Sequence, residues 1–295
     1  MQQERKRINR RVFMGGGGRL LMGAGIIVGM ARCGSREKGG EGEPSEAAKP
    51  QAEGSYGPFR MGFQSYSLRN FRSLAEFIPA ARQLKLGYVE LYRGHLDPSS
   101  LPEQIRAVRE QLASAGLRVN AFGVEPFSAN HENNEKLFQL GKALGVSNLS
   151  ADPSRDAFDS LERLVRQYDI RIAIHNHGPE DERWRRPEWV LKAVQDRDPR
   201  IGSCADLGHF IRAGVDPVEA IEKLGSRVLG VHLKDFDPEG NDVVLGDGQL
   251  DLSQTLAALK KVGFDGPLSL EFEGDDPIPA MLECLARVRD AVRNL

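Results

Sequence analysis

The 295-residue sequence is poor in several features that would point to specialised roles. It has three cysteines, Cys33, Cys204 and Cys284, with no CxxC pair and no zinc-finger spacing. An odd number cannot all pair, so Cys204 and Cys284 are read as small buried apolar residues. Neither sign of charge dominates: 40 Lys and Arg face 42 Asp and Glu, a net charge of −2. That balance gives no reason to expect nucleic acid or an anionic membrane surface as a partner. The weakly apolar segment from Leu20 to Met30 is too short and glycine-rich to span a bilayer as a permanent helix. The four glycines at 15 to 18 follow no predicted strand, so they are not a phosphate loop.

What the first fifty residues do contain reads as an address. Arg5, Lys6, Arg7, Arg10 and Arg11 precede the weakly apolar segment, and Arg10-Arg11 before Val12-Phe13-Met14 resembles a twin-arginine export signal. Cys33 stands where bacterial lipoproteins carry a lipidated cysteine, although Arg32 occupies a place usually held by a small residue. "GSREKGGEGEPSEAAKPQAEGSYG" lacks the apolar content to fold and reads as a tether. The expected organisation is a signal over 1–34, a linker over 35–57 and one domain over 58–295. The expected location is periplasmic or membrane-anchored, with a lipid anchor at Cys33 as one form of it.

From Phe59 onward short apolar runs alternate with amphipathic segments. Eight runs read as strands: "RMGFQSYS", "GYVELY", "RVNAFGV", "VSNLSA", "IRIAIHNH", "IGSCADLG", "VLGVHLKD" and "PLSLEFEG". Between them apolar residues recur three or four apart, as in Leu74, Phe77, Ile78, Ala81 and Leu84, or Phe158, Leu161, Leu164 and Tyr168. Asp216-Pro217 opens one helix, while Gly116, Gly145 and Gly263 close others. Eight strand–helix alternations predict a (β/α)8 TIM barrel. A doubly wound open sheet is the alternative, but it usually uses fewer strands, and no GxGxxG follows the first one.

In such a barrel the active site lies at the carboxyl ends of the strands. The last five runs end in Asp152, in His175 and His177, in Asp206 with His209 three residues on, in His232, and in Glu271. Taken singly these residues have ordinary readings: a turn for Asp152, a core histidine for His209, a solvated strand end for Glu271. Together they depart from the apolar character of parallel barrel strands. Asp206, His232 and Glu271, pointing inward, would converge, and with Asp152 would offer three oxygens and one nitrogen to one divalent cation. Mn²⁺, Co²⁺, Zn²⁺ and Mg²⁺ all suit such a set.

"SADP", "IAIHNHGP", "CADLGHF", "GVHLKD", "LGDGQLDL" and "GPLSLEFEG", in that order, resemble the xylose isomerase-like barrels. That group includes sugar-phosphate and ketose isomerases and epimerases, hydroxypyruvate isomerase, inosose dehydratase and endonuclease IV. The resemblance extends over about residues 59 to 295 and is most specific in the second half. It implies one metal held by Asp152, Asp206, His232 and Glu271, with Asp152 where a Glu usually stands. It also implies substrate contacts from His209, His177 and Lys234, and less specifically from Glu90 and His95, for which a surface salt bridge is an equal explanation.

The implied chemistry is proton abstraction beside the carbonyl of a carbohydrate, with Glu271 as base, Asp152 as its partner, and Lys234 or His209 polarising the carbonyl oxygen. Three alternatives accompany this isomerase or epimerase reading. One is a metal-dependent dehydratase or lyase on a keto-inositol or keto-glycoside, with "HNHGP" supplying an acid for the leaving group. Another is an endonuclease IV-type nuclease, disfavoured because Asp247-Gly248-Gln249 replaces an Asp-x-His and no basic stripe is present. The last is a non-catalytic sugar-binding lipoprotein on the same scaffold. Loops such as "RGHLDPSS" and "VEPFSANHENN" are expected to shape the pocket.

Overall fold

The computed structural model describes residues 56–293 and 295. Residues 1–55, which carry the predicted export signal, Cys33 and nearly all of the tether, lie outside the described residues. β1 (Arg60–Gln64) leads through a short 3-10 turn to α1 (Leu74–Gln83), and β2 (Tyr88–Leu91) to α2 (Pro102–Ser114). β3 (Arg118–Phe127) precedes α3 (His131–Leu144), β4 (Asn148–Pro153) precedes α4 (Phe158–Tyr168), and β5 (Arg171–His175) precedes α5 (Pro187–Val194). β6 (Ile201–Asp206) runs directly into α6 (Leu207–Arg212), followed by α7 (Pro217–Leu224). After β7 (Val228–Leu233) a small hairpin, β8 (Asp235–Phe236) and β9 (Asp242–Val243), intervenes before α8 (Leu252–Lys261). β10 (Pro267–Leu270) and α9 (Pro277–Val292) complete the fold.

Eight parallel strands close in the order β1–β2–β3–β4–β5–β6–β7–β10 and back to β1. All eight predicted strands are present, and closure excludes the open doubly wound sheet. The helix punctuation has its expected causes. The Asp216 side chain accepts the backbone N–H groups of Val218 and Glu219 at the start of α7, while Gly145 closes α3 at a φ of 76°, which a side chain would disfavour.

The "VEPFSANHENN" stretch, expected as a loop, departs from that reading. β3 continues through Phe127, and Asn130 caps α3 by accepting from the Asn133 N–H, leaving only the junction between them irregular. The β8–β9 hairpin and α6 carry too few residues to show a period in the sequence.

Strand parity sorts the interior. Leu149, Ile172, Ile174, Val231 and Leu268 face outward into the main core, with Leu161, Leu164, Leu256 and Leu259 from the helices. Ala173, Cys204 and Leu229 form a separate apolar cluster. Ala173 and Cys204 share the inward faces of His175 and Asp206, one pleat nearer the amino end. The barrel axis is therefore plugged by small side chains below and by ionisable ones at the top.

Candidate metal centre and active site

His175, Asp206, His232 and Glu271 stand at the carboxyl ends of β5, β6, β7 and β10, all buried, each offering a ligand atom within 4.8 Å of the others. Register accounts for the convergence. Asp206 and His232 are direct neighbours across β6 and β7, and Ser269, two residues before Glu271, is the neighbour of His232 across β10. His232 Nδ1 lies 3.2 Å from His175 Nε2, 3.1 Å from Glu271 Oε2 and 3.7 Å from Asp206 Oδ2. His175 Nε2 lies 3.4 Å from the same Asp206 oxygen.

The two oxygens of Asp206 have different surroundings. Oδ1 accepts the His209 backbone N–H at 2.7 Å and caps α6. Oδ2 is buried and makes no hydrogen bond among the described residues. A carboxylate oxygen stripped of water without a donor is costly. This one faces two imidazole nitrogens that are themselves only 3.2 Å apart. A divalent cation would satisfy all three at once, and two imidazoles with two carboxylates are a donor set such cations take. The residues present fit a metal. Asn176, between the two histidines of "HNH", accepts from the Asp206 N–H at 2.9 Å and donates back to the Asp206 carbonyl at 2.9 Å, which locks the end of β5 to the end of β6.

Lys234 follows β7 and is fully buried, ion-paired with Glu273 and 3.5 Å from Glu271 Oε2 and 3.9 Å from Asp206 Oδ2. Burial alone would lower its pKa, but the surrounding carboxylates Glu271, Asp206 and Glu273 overcome that and raise it. Burial likewise works to raise the Glu271 and Asp206 carboxyls, and Lys234 is among the groups that hold both below their ordinary values. Gly208 makes room for the lysine stem: a Cβ there would stand 2.8 Å from Lys234 Cγ.

His209 is different in kind. Burial pushes its pKa down to about 4, so the ring is neutral at pH 7. Arg212 Nη1 donates to His209 Nδ1 at 3.1 Å. Because Arg can only donate, the imidazole proton resides on Nε2.

Above the cluster lies a cavity of about 460 Å³ lined by His175, His177, His209, His232 and Glu271, with Tyr66, Tyr92, Arg93, Glu180, Arg212 and Glu273 among its walls. Burial also lowers His177, so it enters this cavity as a second neutral imidazole.

Several expectations change on this geometry. Asp152 does not join the cluster: its Oδ2 is paired with Arg183 Nη2 at 2.6 Å, and His175 supplies the fourth donor. Glu90 is buried behind His232, with Oε2 3.1 Å from His232 Nε2, away from the cavity wall. His95 is a core residue, its Nε2 2.9 Å from the Phe71 carbonyl and its ring 4.2 Å from that of Phe77. Lys234 lies beneath the cavity rather than in its lining. Sequence reasoning passed over His175 as a ligand although its parity placed it inward. Arg212 ends α6, a helix too short to show a period, and Tyr66, Tyr92, Glu180 and Glu273 sit in loops or short turns whose direction no periodicity reveals.

The barrel and its imidazole–carboxylate cluster define a class, a (β/α)8 barrel able to hold a divalent cation at the carboxyl ends of its strands. The chain matches the xylose isomerase-like TIM barrel family model over residues 78–291 and belongs to that family. It is similar to the inosose dehydratase of Clostridium botulinum, 27% identical over 154 residues, covering 46% of this chain and 51% of that protein. The chain thus spans about half the length of that relative. A solved structure from Parabacteroides distasonis is 28% identical with a TM-score of 0.62, covering 78% of this chain and 99% of that chain. L-ribulose 3-epimerase superposes with a TM-score of 0.66 at 16% identity, covering 80% and 95%, which shows a shared fold.

Proposed function

We propose that the chain is a divalent-metal-dependent isomerase or epimerase that removes a proton beside the carbonyl of a small carbohydrate. The observation that carries this reading is the buried Asp206 Oδ2, without a hydrogen bond among the described residues, facing His175 and His232 at the floor of the cavity. His175, Asp206, His232 and Glu271 would hold the cation, which supplies Lewis-acid polarisation of the substrate carbonyl.

The remaining work falls to the protein's own side chains. Glu271 lines the cavity and is kept ionised by Lys234, so it can take the proton. His209, neutral with its proton on Nε2, donates to the oxygen that gains charge. Lys234, which the cavity does not reach, acts through Glu271 and Glu273 by holding both in place. Return of the abstracted proton from Glu271 to the neighbouring carbon would complete the isomerisation.

The alternative is elimination: the same proton removal followed by loss of water or another leaving group. His177 lines the cavity, where its protonated form would give a proton to that group, and the likeness to an inosose dehydratase points the same way.

The test is a screen of ketoses, keto-glycosides and inososes in D₂O with metal-loaded protein. Deuterium entering an isomer of unchanged carbon skeleton supports isomerisation, and a product lighter by water supports elimination. Tight sugar binding with no exchange under Zn²⁺, Co²⁺, Mn²⁺ or Mg²⁺ would leave a binding protein and end the catalytic reading.

A further inference from the structure

We propose that Glu90 is a positioning residue for the metal centre: it fixes the His232 ring so that Nδ1, and not Nε2, is presented to the cation. The inference rests on the metal reading above. Glu90 Oε2 lies 3.1 Å from His232 Nε2, and both side chains are almost fully buried. An imidazole that ligates a cation is neutral and carries one N–H, and a carboxylate only accepts. Pairing with Glu90 therefore places that N–H on Nε2 and leaves the Nδ1 lone pair free, on the side where His175, Asp206 and Glu271 stand.

The contact crosses the barrel. β2 and β7 are separated by β10 and β1 in the closed sheet, so a side chain from one reaches the other only if the intervening inward positions are small. Along the row of His232 they are: Ser269 on β10 is its register partner, and Gly62 on β1 is the partner of Ser269, with Tyr88 of β2 closing over the glycine, where a Cβ would stand 2.9 Å from Tyr88 Cβ. The Ser269 hydroxyl donates to Glu90 Oε2 at 3.2 Å. A chain that needed only a filled interior would place an apolar residue here, since an ionised carboxylate away from water is costly. Carboxylates behind ligating histidines fix the ring's orientation and raise its basicity, and their removal typically weakens metal affinity about 10- to 100-fold.

The experiment is chelator competition for Zn²⁺ on the metal-free full-length chain, with visible absorption of the Co²⁺ form as a second readout. Glu90→Gln keeps the shape and one acceptor but loses the charge. Its Zn²⁺ dissociation constant should rise about 10- to 100-fold, with an altered Co²⁺ spectrum and a metal-free melting temperature close to wild type. Ser269→Ala, which removes only the support behind Glu90, should raise it severalfold, and it decides the matter if the Gln variant fails to fold. Wild-type affinity and spectrum in these variants would overturn the role of Glu90 while leaving the metal centre standing. A wild-type chain that takes up neither cation would overturn the metal reading and this inference with it.

Discussion

Asp206 caps the helix that carries His209, its Oδ1 accepting the His209 N–H at 2.7 Å, while its other oxygen has no donor among the described residues and lies at the centre of the cluster. One side chain thus sets both the direction of α6 and the charge at the floor of the cavity. Asp206→Asn separates the two tasks. Asn caps helices as well as Asp does but brings no negative charge to the cation. The variant should bind Zn²⁺ more weakly than wild type in chelator competition, and its melting temperature should stay near that of metal-free wild type. Asp206→Ala should lose the cap as well and cost about 1 kcal/mol more.

The fold was readable because a closed parallel barrel imposes its pattern locally. Each strand is a short apolar run, and each helix carries a stripe three or four residues apart. The polar ends of "CADLG", "GVHLK" and "LSLEF" stood out against that background, and parity placed Asp206, His232 and Glu271 inward. Asp152 misled because strand parity says nothing about a partner 31 positions away: Arg183 reaches it from the loop after β5. The same limit hid Glu90, whose partner lies 142 positions off across the barrel. Cross-barrel contacts depend on the sizes of residues such as Ser269 on intervening strands.

Lys234 is the buried cation that the carboxylates of Asp206, Glu271 and Glu273 share. Replacing it by Met keeps most of the volume against Gly208 and Phe236 but leaves three negative groups around one point. Removing one partner from a buried ion pair costs about 3–5 kcal/mol. Urea unfolding of metal-free Lys234→Met should show a loss of that size. A loss within 1 kcal/mol of wild type would mean that the carboxylates find other compensation.

Asp242 in β9 gives the molecule a pH dependence of unusual sign. Its Oδ2 accepts the Glu273 N–H at 2.6 Å, while Oδ1 is buried without a partner among the described residues. Burial, with Glu273 and Glu271 nearby, pushes its pKa up to about 7. The folded chain therefore holds a proton there that the unfolded chain releases near pH 4. This group's contribution to stability is complete below about pH 4 and is lost as pH rises through 7. Asp242→Asn keeps a neutral side chain at all pH values. It should gain on wild type by about 2 kcal/mol at pH 8 relative to pH 5, a value reduced by the residue's partial exposure. Parallel stability–pH curves for the two proteins would remove Asp242 as the cause.

Glu271 both faces the cluster and lines the cavity, so its substitution distinguishes holding a metal from moving a proton. Glu271→Gln retains a carbonyl oxygen that can ligate, but an amide cannot accept a proton at neutral pH. Metal content should therefore survive while exchange of the substrate α-hydrogen with D₂O falls by at least about 10²-fold, the usual contribution of a positioned base. Glu273 is the control. It lines the same cavity and pairs with the same lysine, but it is not among the four clustered donors. Glu273→Gln should slow exchange less than Glu271→Gln does. If the order is reversed, with wild-type exchange in Glu271→Gln and loss in Glu273→Gln, the base is Glu273, and Glu271 is confined to holding the cation.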